Sequence, residues 1–342
     1  MKLLVAGPDT VHVGNYCKSI RPYVDRLVLL TEQTYVLEGI DAYAVFSFRK
    51  FNLLAWLKNF RAIQAYLRKE NPTLIHIHQI NRLAFIIAFI ANRLSIPIVT
   101  TAWGSDVLLI PQQNWIYKKM VQFVLKKSKV VTADAKIMID AMQKLVKKST
   151  EEYIFLQYGI DAVIPAKKEK IIYSNRLHSE LYNIAGVITA FAVFHAKHPD
   201  WNLVIGGSGP LTAALKAQVD QLGLSASVKF IGFVNQETNH AYYAKAAIYI
   251  SIPFSDGTSV SLLEAMSANC IPVVSNLPVS HEWISNGLNG IIMDSTNNPF
   301  EQALQLDAEQ CYQLNQDKIA THALKSTTVK LFSQLYQKAI NG

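Results

Sequence analysis

Cysteine is scarce: Cys17, Cys270 and Cys311 are the only three in 342 residues, and none belongs to a C-x-x-C pair. That excludes a disulfide-stapled scaffold and a thiolate zinc site, and it suits a reducing compartment. Charge is thin too, at 17% Asp, Glu, Lys and Arg against 50% apolar residues, so the chain has a core to bury and little of the composition of disorder. Long hydrophobic runs are missing. The longest, Leu83 to Ala91 (LAFIIAFIA), is too short to span a bilayer and reads as a buried helix. MKLLVAGPDT is not expected to be a signal peptide, because its apolar run stops at Gly7 and Pro8; it reads as a first buried strand. A complete G-x-G-x-x-G is also lacking, which counts against a nicotinamide enzyme.

What charge there is lies unevenly. Residues 1–170 carry 24 Lys and Arg against 13 Asp and Glu, whereas the remainder carries 9 against 12. Basic side chains fall on two stretches of helical pattern. Lys58, Arg61, Arg68 and Lys69 are on one; Lys118, Lys119, Lys126, Lys127 and Lys129 are on or just after the other. Trp56, Phe60, Trp115, Tyr117 and Phe123 are interleaved with them. Such helices can lie on an anionic membrane surface, and the same pattern also serves as a solvated helix face with its aromatics turned inward. No nucleic-acid partner is expected, because no recognition motif accompanies the charge.

Short β-branched runs alternate with longer helical patterns, the rhythm of parallel sheets with crossover helices. Strands are expected at 2–7, 26–31, 42–48, 74–78, 97–103, 129–134 and 153–159, with helices near 52–70, 81–94, 115–127 and 135–147. The polar segment Ile160 to Lys170 reads as a linker. A second series follows, with strands at 171–177, 202–207, 227–232, 248–252, 271–276 and 290–293 and helices between them. The fold class is therefore α/β, with two Rossmann-like domains, 1–162 and 163–342, the second ending in C-terminal helices. Two such units imply a cleft between them, and open α/β sheets bind ligands at the carboxyl ends of their strands.

The most telling stretch is SDGTSVSLLEAMSANCIPVV, Ser255 to Val274. Gly257, Thr258 and Ser259 make a small turn that opens a helix, where unpaired N–H groups form a ready anion site. Asp256 and Glu264 flank it, and Glu264, two turns along, can hydrogen-bond a sugar hydroxyl. An anion cradle between two carboxylates suits a sugar linked to a diphosphate; the plainer alternative is a capped helix with one surface Glu. GGSGP, Gly206 to Pro210, adds a glycine turn between a strand and a helix, where Gly207 and Gly209 let the backbone approach a ligand.

These residues resemble the donor-binding signature of glycosyltransferase family 4, whose members are retaining enzymes with two Rossmann-like domains in the GT-B arrangement. Two acidic residues with seven between them, a Leu-Glu-Ala-Met helix and a Pro-Val-Val strand carry the likeness, with Asp256 at a position that is usually Glu. It runs through most of the second half and more loosely into the first. The resemblance implies that Gly207, Gly209, Gly257, Thr258, Ser259, Val260 and Glu264 bind the donor, Glu264 through the nucleotide ribose. It implies that Arg176 stabilises the departing pyrophosphate and that Asp256 holds the transferred sugar. No metal or other cofactor is called for.

The chain also departs from the family pattern. Leu181 stands where the family has a Lys; His178, the Tyr182 hydroxyl or the amides around Thr258 are the candidate substitutes. Trp103 replaces a His that contacts the transferred sugar, and Asn269 replaces a Gly. Trp103 is a candidate for stacking on a sugar ring and Asp106 for bonding acceptor hydroxyls, with a loop-anchoring Trp and a helix N-cap Asp as the structural alternatives. His12 and Asn15 in the first strand-to-helix loop are acceptor-side candidates. So is His78, for which a hydrogen-bonded core position is the alternative. Gly159 and Asp161 match a family turn at the hinge.

The expected activity is transfer of a hexosyl group from a nucleotide-diphosphate sugar to a glycan acceptor, lipid-linked, in bacterial surface polysaccharide or glycoconjugate assembly. The expected location is cytoplasmic, peripheral to the inner face of an anionic membrane. Two alternatives stay open: a sugar-nucleotide epimerase of the same architecture, and a glycan-binding protein with a decayed donor site.

Overall fold

The computed structural model describes residues 1–33, 39–48, 53–294 and 298–341. The chain divides into two compact units, Met1–Gly159 with Lys325–Gly342, and Ile160–Leu324.

In the first unit the strands are β1 (Lys2–Ala6), β2 (Arg26–Thr31), β3 (Ala42–Val45), β4 (Leu74–His78), β5 (Ile98–Thr101), β6 (Val130–Ala133) and β7 (Tyr153–Phe155). Among the described residues they form one parallel sheet in the order β3-β2-β1-β4-β5-β6-β7. Every residue of β4 is buried. A strand covered by helices on both faces reads as a continuous apolar run rather than an alternating one, although β4 carries His76 and His78 inside that run.

The second unit repeats the plan. Its strands β8 (Glu169–Ser174), β9 (Asn202–Gly206), β10 (Val228–Gly232), β11 (Ala246–Ser251), β12 (Ile271–Ser275) and β13 (Ile291–Met293) pair in parallel in the order β10-β9-β8-β11-β12-β13. Its core gathers Val187, Ile188, Phe191 and Phe194 from the helix Ile184–His195 against Ile205, Ile250 and Val273 of the sheet. In both sheets the winding starts at a central strand, runs out to one side and resumes on the other. The carboxyl ends at that switch are where such sheets bind ligands.

Several expected strands end early. β3 stops at Val45, β7 at Phe155 and β8 at Ser174, because the residues beyond turn into loops at the carboxyl edge. The first loop is shorter than expected: the helix Val11–Ile20 begins inside it, and the Thr10 hydroxyl caps that helix by accepting the Val13 N–H at 3.5 Å. Leu83–Ala91 lies within the helix Arg82–Arg93, which buries Leu83, Ala84, Ile87, Ala88, Ile90 and Ala91. No helix among the described residues is long and apolar enough to cross a membrane.

The C-terminal segment corrects the sequence-based division. The helix Lys325–Asn341 belongs to the first unit, not the second. Val329, Phe332, Tyr336 and Ala339 recur at helical spacing and bury against Val13, Tyr16 and Cys17. Gly159, at φ +92°, marks the exit from the first unit. A Cβ there would stand 3.0 Å from the Lys325 nitrogen and closer still to Lys325 Cα and the Thr328 hydroxyl, so the returning helix leaves no room for a side chain.

Candidate active site

Neighbouring strands bring two loops of the second unit together. β8 ends at Ser174 and β11, its hydrogen-bonded neighbour, ends at Ser251. Arg176 therefore emerges beside the turn Ser255–Ser259. Its Nη2 donates to Asp256 Oδ2 at 2.6 Å, its Nη1 donates to the Ser259 hydroxyl, and its guanidinium lies 4.4 Å from the centre of the Tyr182 ring. Burial raises the Asp256 pKa, and the Arg176 charge opposes that rise. The Gly257 N–H donates to Asp256 Oδ1 at 3.0 Å, so the carboxylate is held from two sides.

The helix Val260–Ser267 starts at Ser259 with no side-chain cap on its first amides. Its N-terminus therefore keeps donors and a partial positive charge beside Arg176, a setting that favours an anion. The Thr258 hydroxyl accepts the Trp283 indole N–H at 3.4 Å, and a small cavity of about 20 Å³ opens between that turn and Ser275 and Trp283. Farther along the helix Glu264 is buried, with Oε1 3.4 Å from His240 Nε2. Burial pushes its pKa up, and His240 pulls the other way.

Beneath Arg176 lies a polar network that sequence reasoning missed. The Asn175 amide donates to Asn239 Oδ1 at 2.9 Å and to the Tyr243 hydroxyl at 2.7 Å, and its oxygen accepts from the Tyr249 hydroxyl at 3.3 Å. Tyr173 adds a 2.6 Å bond to Asn239. Tyr173, Tyr243 and Tyr249 are fully buried, so these bonds satisfy polar groups the core would otherwise leave unpaired and fix the backbone just before Arg176. His240 was also unassigned in the sequence, and Tyr182, whose hydroxyl was a candidate substitute for the missing Lys, meets Arg176 with its ring. No sequence signal marked the network, since Tyr is no denser in the second half than in the first.

The glycine turn packs on the same segment. Gly207 has φ +106°, and a Cβ on it would collide with the Arg176 carbonyl; one on Gly209 would stand 2.5 Å from the His178 carbonyl oxygen. His178 is fully buried and shares a 2.8 Å hydrogen bond with the Thr212 hydroxyl. Its Nε2, buried and without a hydrogen-bond partner among the described residues, lies against the glycine turn, 3.6 Å from where a Cβ on Gly207 would stand. Leu181 itself is 44% exposed, and its carbonyl accepts the Phe254 N–H at 2.9 Å.

In the first unit the structure corrects two candidates. Asp106 is fully buried; its carboxylate accepts the backbone N–H groups of Ile80 at 2.8 Å and Trp103 at 3.0 Å. Those bonds stitch two loops together and leave no exposed oxygen for an acceptor. His78 is fully buried under the first loop, where a Cβ on Gly7 would already stand 3.0 Å from His78 Cβ. It bonds the Tyr158 hydroxyl at 3.0 Å and His76 at 3.2 Å, and burial lowers its pKa to about 3. His76 in turn meets the Tyr336 hydroxyl at 2.6 Å and the Thr101 hydroxyl at 2.7 Å. The pair is a core network, not a substrate contact.

Trp103 is half-buried, and its indole N–H donates to the Tyr158 hydroxyl. His12 meets the indole edge-on at 5.8 Å between ring centres. His12 and Asn15 both lie exposed on the helix Val11–Ile20. The structure thus brings Trp103 and His12 together while sending Asp106 and His78 into the core. Among the described residues no group of three or more His, Cys, Asp or Glu is placed to hold a metal ion.

Residues 160–308 match the family model for glycosyl transferases group 1, and residues 3–135 match that for glycosyl transferase 4-like proteins. Between them the two models take in most of the chain. The chain belongs to the GT-B glycosyltransferases. N-acetyl-alpha-D-glucosaminyl L-malate synthase of Bacillus anthracis is 24% identical over 290 residues, 78% of this glycosyltransferase and 72% of the relative. Among solved structures, HepE of Anabaena in complex with UDP superposes with a TM-score of 0.80 at 14% identity, covering 99% of this chain and all of that one. A glycosyltransferase from Rickettsia africae also reaches 0.80, at 13% identity, covering 100% of this chain and 99% of its own. The structural likenesses speak for the fold; the family matches add transferase activity.

Proposed function

We propose that this glycosyltransferase moves a sugar, with retention of configuration, from a nucleotide-diphosphate sugar to a hydroxyl of a lipid-linked glycan. The observation that carries the reading is the Arg176 guanidinium, bonded to Asp256 and Ser259 beside the uncapped amides of the helix Val260–Ser267. A fixed cation and oriented N–H groups stabilise the charge that develops on a departing diphosphate. On this reading Asp256 holds the transferred sugar and Glu264 the ribose, and Gly207 and Gly209 let the backbone approach the nucleotide. No metal is needed, so chelation leaves the rate unchanged. His12, Asn15 and Trp103 belong to the acceptor side. The proposal includes peripheral contact with an anionic membrane, supported by the exposed Lys58, Arg61, Lys118 and Lys119 beside the exposed Leu54, Leu57 and Trp115.

The test is thermal-shift titration with UDP, GDP and ADP and their sugar conjugates, with Arg176→Ala and Glu264→Ala as controls. UDP is the first to try, given the nucleotide bound to Anabaena HepE. A hundredfold excess over Kd stabilises by about 2.7 kcal/mol. One nucleotide that stabilises wild type and neither variant supports the donor site, and no response to any nucleotide removes it. A free, altered sugar nucleotide as product would identify an epimerase instead.

A further inference from the structure

The first unit holds a cavity of about 370 Å³ at the carboxyl edge of its sheet, formed where the chain leaves β2 and β4. Its apolar wall is Phe48, Ile80, Ile110, Met120 and Val121. Met120 and Val121 come from the helix Trp115–Lys127, one turn after Tyr117 on the same side. The polar part of the lining is already organised. Arg82 Nη2 donates to the Tyr117 hydroxyl at 2.7 Å, and Glu32 Oε1 accepts the Phe48 N–H at 3.0 Å.

A cavity of this size, in which those five apolar side chains face the polar Glu32, Asn81, Arg82, Gln113 and Tyr117, can take an amphipathic small molecule. It is joined to the acceptor-side loop by Asp106, whose carboxylate takes the N–H of Ile80 in the cavity wall with one oxygen and that of Trp103 with the other. Leu109, Trp115 and Ile116, each within two residues of a lining residue in sequence, are 61%, 73% and 54% exposed. Lys118 and Lys119 next to them are exposed as well. Apolar lining thus continues into exposed apolar surface beside cationic side chains.

We propose that this cavity binds an aliphatic aglycone of the acceptor, its chain filling the space between Phe48, Ile80, Ile110 and Met120 while its hydroxylated head lies toward Trp103. This rests on the acceptor-side reading given above. The cavity discriminates acceptors by the length of the aliphatic part, since each methylene buried from water is worth roughly a fourfold gain in affinity. Met120 suits the task because its thioether chain adapts to irregular apolar shapes.

The test compares n-octyl and methyl β-glucoside binding by calorimetry, below the micelle concentration of the octyl compound, in wild type, Met120→Trp and Ile110→Asn. Wild type should bind the octyl glucoside at least tenfold more tightly than the methyl one. Met120→Trp narrows the cavity with a rigid ring and Ile110→Asn makes its wall polar, so each should cut that preference below threefold. An octyl preference that survives in both variants, or a wild type that shows none, overturns the proposal. Thermal shift with UDP, GDP and ADP on the same samples shows whether each variant is folded and whether the donor reading holds. A nucleotide response without an octyl preference sinks the cavity proposal alone, whereas an octyl preference without any nucleotide response sinks the donor reading alone.

Discussion

Replacing Asp256 with Asn should separate nucleotide binding from sugar transfer. In the structure Arg176 and Asp256 are paired at 2.6 Å with side chains only 11% and 23% exposed. At that degree of burial two unit charges about 4 Å apart attract by about 4 kcal/mol at an effective dielectric of 20. Desolvation offsets part of this, and a hydrogen bond to a charged group is typically worth about 1.5–3 kcal/mol net. Asn keeps the shape and an acceptor oxygen, so the variant should lose about 1–3 kcal/mol of stability. For a unit of this size that lowers Tm by roughly 2–4 °C per kcal/mol.

Nucleotide affinity should move the opposite way. A diphosphate reaching Arg176 in the wild type competes with the Asp256 carboxylate and meets its negative charge. Removing that charge should return about 1.4 kcal/mol to the ligand, a tenfold tighter Kd. Transfer should nonetheless fall by about two orders of magnitude, the usual cost of one polar contact that matters most in the transition state. Calorimetry with the stabilising nucleotide and a product assay at saturating donor measure the two effects separately. A folded Asp256→Asn protein that binds nucleotide tenfold more weakly would refute the competition, and unchanged transfer would refute the role of the carboxylate.

Other positions carry predictions of their own. Gly207→Ala meets both a φ of +106° and the Arg176 carbonyl, so it should destabilise by about 2–4 kcal/mol and weaken nucleotide binding, read by denaturant midpoint and calorimetry. Co-sedimentation with anionic vesicles should retain the protein at low salt and release it at high salt, and Lys58→Glu with Lys119→Glu should abolish retention; equal binding to neutral vesicles would contradict an electrostatic contact. The buried histidines set an acid limit. His78 stays neutral in the fold down to about pH 3 while an unfolded His takes its proton near 6.5. Its share of stability is therefore complete above pH 6.5 and is lost as pH falls toward 3, by about 1.4 kcal/mol per pH unit. His78→Gln should be less stable at neutral pH but decline less steeply on acidification; parallel curves would contradict this. Burial raises the pKa of Asp106, Asp256 and Glu264, which works in the opposite sense, but these groups are common to both proteins and cancel in the comparison.

The alternation of strands and helices was legible because both sheets are parallel and covered on two faces, which leaves short apolar runs between longer amphipathic ones. The turn of Asp256 to Ser259 was legible because glycine and hydroxyl residues before an apolar helix have few other uses. Three features were not. The return of Lys325–Asn341 to the first unit depends on what Phe332 and Tyr336 bury against, and periodicity reports only that a face is apolar. His78 ends β4 and Asp106 lies in the short helix Ser105–Leu108 that follows β5, the right places for site residues, but whether such a side chain turns out or in is decided by partners remote in sequence, Tyr158 for one and Ile80 for the other. Asn175 looked like one more polar loop residue until Tyr243, Tyr249 and Asn239 converged on it.

The departures from the family pattern also change weight once their backbone is known. Asn269 has φ +59°, directly after the helix Val260–Ser267. Glycine is the usual residue at such a left-handed cap and Asn the next best tolerated, so this exchange preserves the turn and says nothing of decay. Leu181 is different, since no backbone constraint explains the loss of a cation. What stands near its place is the Tyr182 ring beneath Arg176, the Ser259 hydroxyl and the uncapped amides. Together they orient one cation firmly rather than supplying two. A site with a single arginine leans more on hydrogen-bond direction than on net charge, and Arg176 offers that through its planar fork, which a lysine point charge cannot reproduce. Arg176→Lys should therefore be nearly as damaging to nucleotide binding as Arg176→Ala, with Kd raised tenfold or more in both. A lysine variant that binds within threefold of wild type would show that charge alone suffices at this position.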